Sequence, residues 1–110
     1  MELQYEMVQN VQVVHVTGRI DSATAEKFGQ DIYMILGSGN HHMLLDLSAV
    51  PYINSAGLRV LLATAKSTKK HGGRFALSGL SDEVRNVIEL AGFHKILTIS
   101  PTTSDALSHW

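Results

Sequence analysis

The sequence predicts a single α/β domain spanning residues 1–110, with a mixed, mainly parallel sheet of about five strands and about four helices packed against it. Three observations lead there. Short apolar runs alternate with longer segments whose apolar residues recur at helical spacing. The first two runs are separated only by Gln9-Asn10, the spacing of a hairpin, so an antiparallel pair opens the chain. Each later run is separated from the next by a helix-length segment, an alternation that joins parallel strands by crossovers.

The elements follow in order. Leu3 to Val8 and Val11 to Thr17 form the hairpin strands. Gly18-Arg19-Ile20-Asp21 turns the chain, and Asp21 or Ser22 caps a helix carrying Ala25, Phe28, Ile32, Ile35 and Leu36 on its apolar face, stopped by Gly37-Ser38-Gly39. Met43 to Leu47 is continuously apolar up to the acid Asp46, as expected of a central strand buried on both faces. After Ser55 a helix buries Leu58, Leu61, Leu62 and Ala65, spaced i, i+3, i+4 and i+7, and ends at Gly72-Gly73. Phe75 to Ser78 is the fourth strand. Ser81 then caps a helix with Asp82 and Glu83 in its first turn and Val84, Val87, Ile88 and Ala91 on one face, ended by Gly92. Lys95 to Ile99 is predicted as a short fifth strand, and Thr102-x-x-Asp105 as the start of a short terminal helix.

Composition narrows the function classes. Hydrophobic residues make up 45% and charged residues 17% of 110, with a formal net charge of −1, which is ordinary globular composition. Clustered Lys and Arg are what nucleic-acid binding needs, and the densest basic stretch, Lys66 to His71, lies at a predicted helix end, where cations meet the negative end of the dipole. The absence of cysteine excludes a disulfide framework, a thiolate nucleophile and a cysteine metal site. Met1-Glu-Leu-Gln-Tyr-Glu6 has neither the basic start nor the apolar run of a signal peptide, and no apolar stretch approaches the roughly 20 residues of a membrane span. The expectation is a cytoplasmic protein without membrane insertion or direct nucleic-acid contact.

Chemistry concentrates at Asp46-Leu-Ser-Ala-Val-Pro-Tyr-Ile-Asn-Ser-Ala-Gly-Leu58, where a strand passes through a polar turn into a helix. Ser55 stands where an N-cap is expected, at the electropositive end of that helix. A hydrolase elbow, Gly-x-Ser-x-Gly, needs a glycine two residues before the serine, and Ile53 is there instead; only Gly57 fits. A phosphate-cradling loop needs a run of glycines and a lysine, which this turn lacks. Two readings remain open, a structural N-cap and a hydroxyl that itself receives a phosphate.

With Gly18-Arg-Ile-Asp21 before it and Gly72-Gly73 and Leu90-Ala-Gly-Phe93 after it, this segment resembles the STAS domain family, and within it the stand-alone bacterial anti-anti-sigma factors. The resemblance covers almost the whole chain. It implies a non-enzymatic partner switch without cofactor. In that family the serine of the (Asp/Asn)-Ser-x-Gly-Leu pattern, here Ser55, is phosphorylated by an anti-sigma factor that is also a serine kinase. The unmodified protein binds that kinase, the phosphorylated protein is released, and a serine phosphatase restores it. Asp21 matches a position associated with the partner-binding surface, and Tyr52, Ile53, Asn54, Ser55 and Arg59 are expected to share it, Tyr52 and Ile53 as an apolar patch either offered to the partner or packed under the loop. Asn54 stands where many kinase-regulated members carry Asp, leaving one negative charge fewer. The alternative within the family is a STAS subunit of a lipid-transport or other membrane-associated complex, working without phosphorylation.

The remaining candidates are weaker. His41 and His42 enter a strand as neighbours and point to opposite faces, which opposes chelation of one metal ion. His15, His71, His94 and His109 are scattered without metal-motif spacing and are read as surface or strand-flanking residues. Asp46, at its strand end, is expected to accept N–H bonds from the following loop, with Ser48 assisting.

Overall fold

The computed structural model describes all 110 residues. In chain order these form β1 (Glu2–Val8), β2 (Val11–Thr17), α1 (Ala25–Leu36), β3 (His42–Ala49), α2 (Ser55–Lys70), β4 (Arg74–Ser78), α3 (Asp82–Leu90), a 3-10 turn (Phe93–Lys95), β5 (Thr98–Ser100) and α4 (Thr103–Ser108). The strands make one sheet in the order β1-β2-β3-β4-β5, with β1 antiparallel to β2 and all other neighbours parallel. This is the predicted class. The hairpin closes through Gln9 and Asn10, both at positive φ (53° and 64°), a type I′ turn whose twist matches the strands on either side.

Alternation along the strands sorts the core into two layers. Val14, Val16, Met43, Leu45, Leu47, Phe75 and Leu77 pack with Phe28 and Ile32 of α1, Leu58 and Leu61 of α2, and Val84 and Ile88 of α3. On the opposite face Val11, Val13, Leu44 and Ala76 meet Ala106 of α4, with Leu107 and Trp110 at the margin. Met43, Leu44, Leu45 and Leu47 are fully buried, so β3 is central and covered on both sides, as its apolar run up to Asp46 predicts. Each such side chain contributes roughly 1.5–3 kcal/mol through removal from water.

Two boundaries differ from the sequence reading, for local reasons. Helix α1 starts at Ala25 with Thr24 as N-cap, not at Asp21 or Ser22. The Asp21 carboxylate is engaged earlier, accepting the Ala23 N–H at 3.0 Å, and the Asp21 carbonyl accepts from Thr24 and Ala25, so residues 21–24 form a turn of their own. The predicted strand 95–99 is mostly not a strand. After Gly92 the chain winds into the 3-10 turn, and the Ile96 and Leu97 N–H groups both donate to the Phe93 carbonyl. Those donors are lost to a ladder, and only Thr98–Ser100 pairs with β4.

Helix α2 ends in a Schellman motif. Gly72 sits at φ 77°, its N–H donates to the Lys69 carbonyl at 3.1 Å, and the Gly73 N–H donates to the Thr68 carbonyl at 2.8 Å. Gly73 then passes so close to β3 that a Cβ there would lie 1.9 Å from the His41 carbonyl oxygen. No helix of the chain is long and apolar enough to cross a membrane.

Candidate functional site

Two loops leave the carboxyl ends of β2 and β3 and are joined by backbone pairing. Ile20 and Ile53 form a parallel bridge, in which the Ile20 N–H donates to the Tyr52 carbonyl at 2.9 Å and the Asn54 N–H to the Ile20 carbonyl at 3.0 Å. Both isoleucine side chains are fully buried. Their packing locks residues 18–24 and 50–54 into one ledge at the start of α2. Gly57 sits against this pair: a Cβ there would lie 2.7 Å from Ile20 Cγ2 and 2.7 Å from Ile53 Cγ1. Ile53 therefore belongs to the core, and the expectation that it faces a partner is corrected. Its position is inside the ledge because the bridge turns its side chain inward.

The helix cap is Asn54, not Ser55. Asn54 has extended backbone (φ −109°, ψ −175°), and its Oδ1 accepts the Gly57 N–H at 3.1 Å. Its amide nitrogen donates to Ser22 Oγ at 3.1 Å, tying the cap to the neighbouring loop. Asparagine and serine both cap well, and with the two adjacent in sequence the spacing to the helix did not decide between them. The bond to Ser22 favours Asn54, because its side chain satisfies both loops at once. Ser55 is consequently the first helical residue, exposed at the open end of a 16-residue helix.

Cations surround this end. Arg59 folds back along the first turn, its Nε donating to the Ser55 carbonyl at 3.4 Å. Arg19, which the sequence did not single out, lies over the Tyr52 ring with its guanidinium carbon 4.5 Å from the centroid, and its Nε is 3.7 Å from Asp21 Oδ2. Asp21 is held below the ordinary carboxylate range, chiefly by the Ala23 N–H and further by Thr24 and Arg19. Asp21, Tyr52, Asn54, Ser55 and Arg59 thus lie at one end of the molecule, with Ile53 behind them.

A second polar group crosses the sheet nearby. His15 on β2 bonds Asp46 on β3 (Nδ1 to Oδ2, 2.8 Å) and faces Glu6 on β1 (Nε2 to Oε1, 3.5 Å). The sequence places His15 as a surface or strand-flanking residue, since sequence distance hides a register in which it lies beside Asp46. Asp46 also accepts the Ser48 N–H at 2.9 Å, the loop-holding role expected of it. Burial acts to raise the Asp46 carboxyl, but the Ser48 hydroxyl and N–H, with His15, outweigh it and keep it below its usual range. His15 is raised above 6.5, first by its bond to Asp46.

The sign of the pH effect follows. A histidine raised in the folded state contributes stability that is complete below its unfolded value and is lost as pH rises through the folded one. Wild-type Tm is therefore expected to fall between pH 6 and pH 9 by more than that of His15→Gln. The ring is 41% exposed, so screening holds the difference under about 1 kcal/mol, a few degrees at most. Equal slopes in differential scanning calorimetry would contradict this.

Chemically, the arrangement presents a hydroxyl without a base. No side chain hydrogen-bonds Ser55 Oγ, and both nitrogens of His15 are directed at carboxylates. His41 stacks on His71 with centroids 4.2 Å apart, while His42 accepts the Trp110 Nε1–H at 3.3 Å, so the adjacent histidines serve separate contacts.

A sequence model described as the STAS domain matches residues 2–106. BtrV of Bordetella bronchiseptica is 32% identical over 100 residues, covering 91% of this chain and 86% of its own. RsfB of Mycobacterium tuberculosis, an anti-sigma-F factor antagonist, is 30% identical over 98 residues, covering 89% and 80%. The crystal structure of an anti-sigma factor antagonist from Mycobacterium paratuberculosis superposes with a TM-score of 0.89 at 33% identity, covering 98% of this chain and 92% of that one.

Proposed function

The chain belongs to the STAS domain family, and from that membership we propose that it is an anti-sigma factor antagonist that works by reversible phosphorylation of Ser55. In this reading the unmodified ledge of Asp21, Tyr52, Asn54, Ser55 and Arg59 binds an anti-sigma factor that is also a serine kinase. Phosphate on Ser55 releases the complex, and a serine phosphatase resets it.

The observation that carries this reading is the placement of Ser55 as the exposed first residue of α2, with Asn54 acting as cap. The hydroxyl is not needed to hold the helix, so it is available to a kinase. A phosphoserine adds about −1.5 to −2 charge. At a helix N-terminus that charge meets unpaired N–H groups and the positive end of the dipole, which lets the fold accept it. A partner packed on the ledge would instead have to bury the dianion, at a cost of several kcal/mol if it stays unpaired. A loss of about 3 kcal/mol weakens binding on the order of 100-fold.

The test is affinity capture from the native cell, with intact-mass analysis of the bait. Wild type is expected to recover a kinase-type ATPase through its unmodified fraction, with the remaining fraction carrying one phosphate on Ser55. Ser55→Ala should retain the partner and take no phosphate, while Ser55→Glu should lose most of it. Because Ser55 is not the cap, Ser55→Ala should change stability by no more than about 0.5 kcal/mol, so a binding change is not a folding artefact. Undiminished capture by Ser55→Glu, or recovery of a membrane transport complex with unmodified Ser55, would overturn the proposal.

A further inference from the structure

We propose that the free edge of β1 is a homodimer interface, at which two copies pair antiparallel about a two-fold axis at Tyr5 and join their sheets into one. Strand β1 is hydrogen-bonded to β2 alone and occupies the end of the sheet. Natural edges are usually blunted by shortness, proline, a bulge or charged side chains, lysine above all. This one runs seven residues in unbroken register without proline, lysine or bulge, and its charges are Glu2 and Glu6.

The hairpin settles which groups face outward. Val8 and Val11 flank the two-residue turn and form its hydrogen-bonded closing pair, so the even-numbered residues of β1 bond to β2. The backbone N–H and C=O groups of Leu3, Tyr5 and Met7 then point away from the sheet. Those three side chains lie on the face covered by α1, yet Tyr5 is 60% and Met7 57% exposed. Met34 of α1, 75% exposed, lines with Leu3 and Tyr5 a groove of about 710 Å³ along the same edge. Lys27 and Asp31, paired with each other at 2.8 Å, also line this groove, and a second β1 would cover the apolar side chains beside them.

Charge selects both the occupant and its register. With Tyr5 opposite Tyr5, Leu3 faces Met7, Gln4 faces Glu6 and Glu2 faces Val8, so apolar side chains meet each other and each carboxylate meets a neutral residue. Sliding one strand by two residues either way places Glu2 opposite Glu6, or Glu6 opposite itself, and like charges directly opposed are destabilising. Only the register centred on Tyr5 uses all three outward residues of each copy without that penalty. The strand is self-complementary, which favours a second copy over an unrelated strand.

Sedimentation equilibrium of the full chain from micromolar to millimolar concentration tests this. Wild type and Tyr5→Phe are expected to dimerise, and Tyr5→Lys, which opposes two cations on the axis, to dimerise about tenfold more weakly or worse. The chain has no native cysteine, so Tyr5→Cys reads the register directly. Directly opposed hydrogen-bonded residues lie about 5.5 Å apart at Cα, within disulfide range, and mild oxidation should link two Tyr5→Cys chains. Gln4→Cys, displaced from its own symmetry mate, should not link. A monomer at every concentration, a Tyr5→Lys dimer as tight as wild type, or equal cross-linking of Gln4→Cys would each overturn the proposal.

Discussion

Gly73→Ala is expected to destabilise the domain by on the order of 4 kcal/mol, a loss of at least about 15 °C in Tm. The added methyl would fall 1.9 Å from the carbonyl oxygen and 2.4 Å from the carbonyl carbon of His41. That carbonyl lies at the entry to β3, the strand buried on both faces, so the obstruction is backbone held by the sheet and not a movable side-chain tip. Gly72→Ala supplies the control. Gly72 has the left-handed backbone (φ 77°), but a Cβ there meets nothing within 4 Å. Its replacement should cost only the conformational penalty of roughly 1–2 kcal/mol. If the two variants melt together, close approach is not what Gly73 provides.

Gly57→Val should have an effect of similar size, on the order of 3 kcal/mol or more, centred on the candidate site. Its Cβ would press on Ile20 Cγ2 and Ile53 Cγ1, each at 2.7 Å, and both side chains are fully buried. The least disruptive relief is to part the bridge between the two loops, which breaks the Ile20–Tyr52 and Asn54–Ile20 hydrogen bonds. Amide exchange at Ile20 and Asn54 should accelerate more than at β3, and partner capture should fall even though Ser55 is intact. Uniform acceleration across the sheet, with capture preserved, would show that the ledge does not depend on Gly57.

These glycines also mark how far the sequence could be read. Periodicity places α2 and α3 and the central strand well, because Leu58, Leu61, Val84 and Ile88 repeat at helical spacing and Met43, Leu44 and Leu45 run unbroken up to Asp46. The last strand starts at Thr98 rather than Lys95, because the spacing of apolar residues does not reveal that the Phe93 carbonyl accepts from the N–H groups of Ile96 and Leu97. At the site, the family pattern draws attention to Ser55, Asp21, Tyr52, Asn54 and Arg59, and the structure brings these to one end. It could not show that Ile53 turns inward, since a bridge to Ile20 spans thirty-three positions of chain. Nor could it separate Asn54 from Ser55 as the cap, or find the Arg19–Tyr52 stack and the His15–Asp46 pair. All of these depend on which loops meet in space.

The strand order has a consequence for the kind of ligand this fold receives. Many open α/β sheets reverse direction partway, adding strands first to one side and then to the other, and the gap between the diverging loops becomes a cleft for a cofactor or substrate. Here each strand is laid beside its predecessor, from β1 to β5, without reversal. Neighbouring crossover loops run side by side, and the first two are knitted by the Ile20–Ile53 bridge, closing the place where such a cleft would open. What this part of the carboxyl end offers is a joined ledge of two loops. Under the proposed function, another macromolecule lies across that end of the sheet, and one phosphoryl group on Ser55 is what changes the fit.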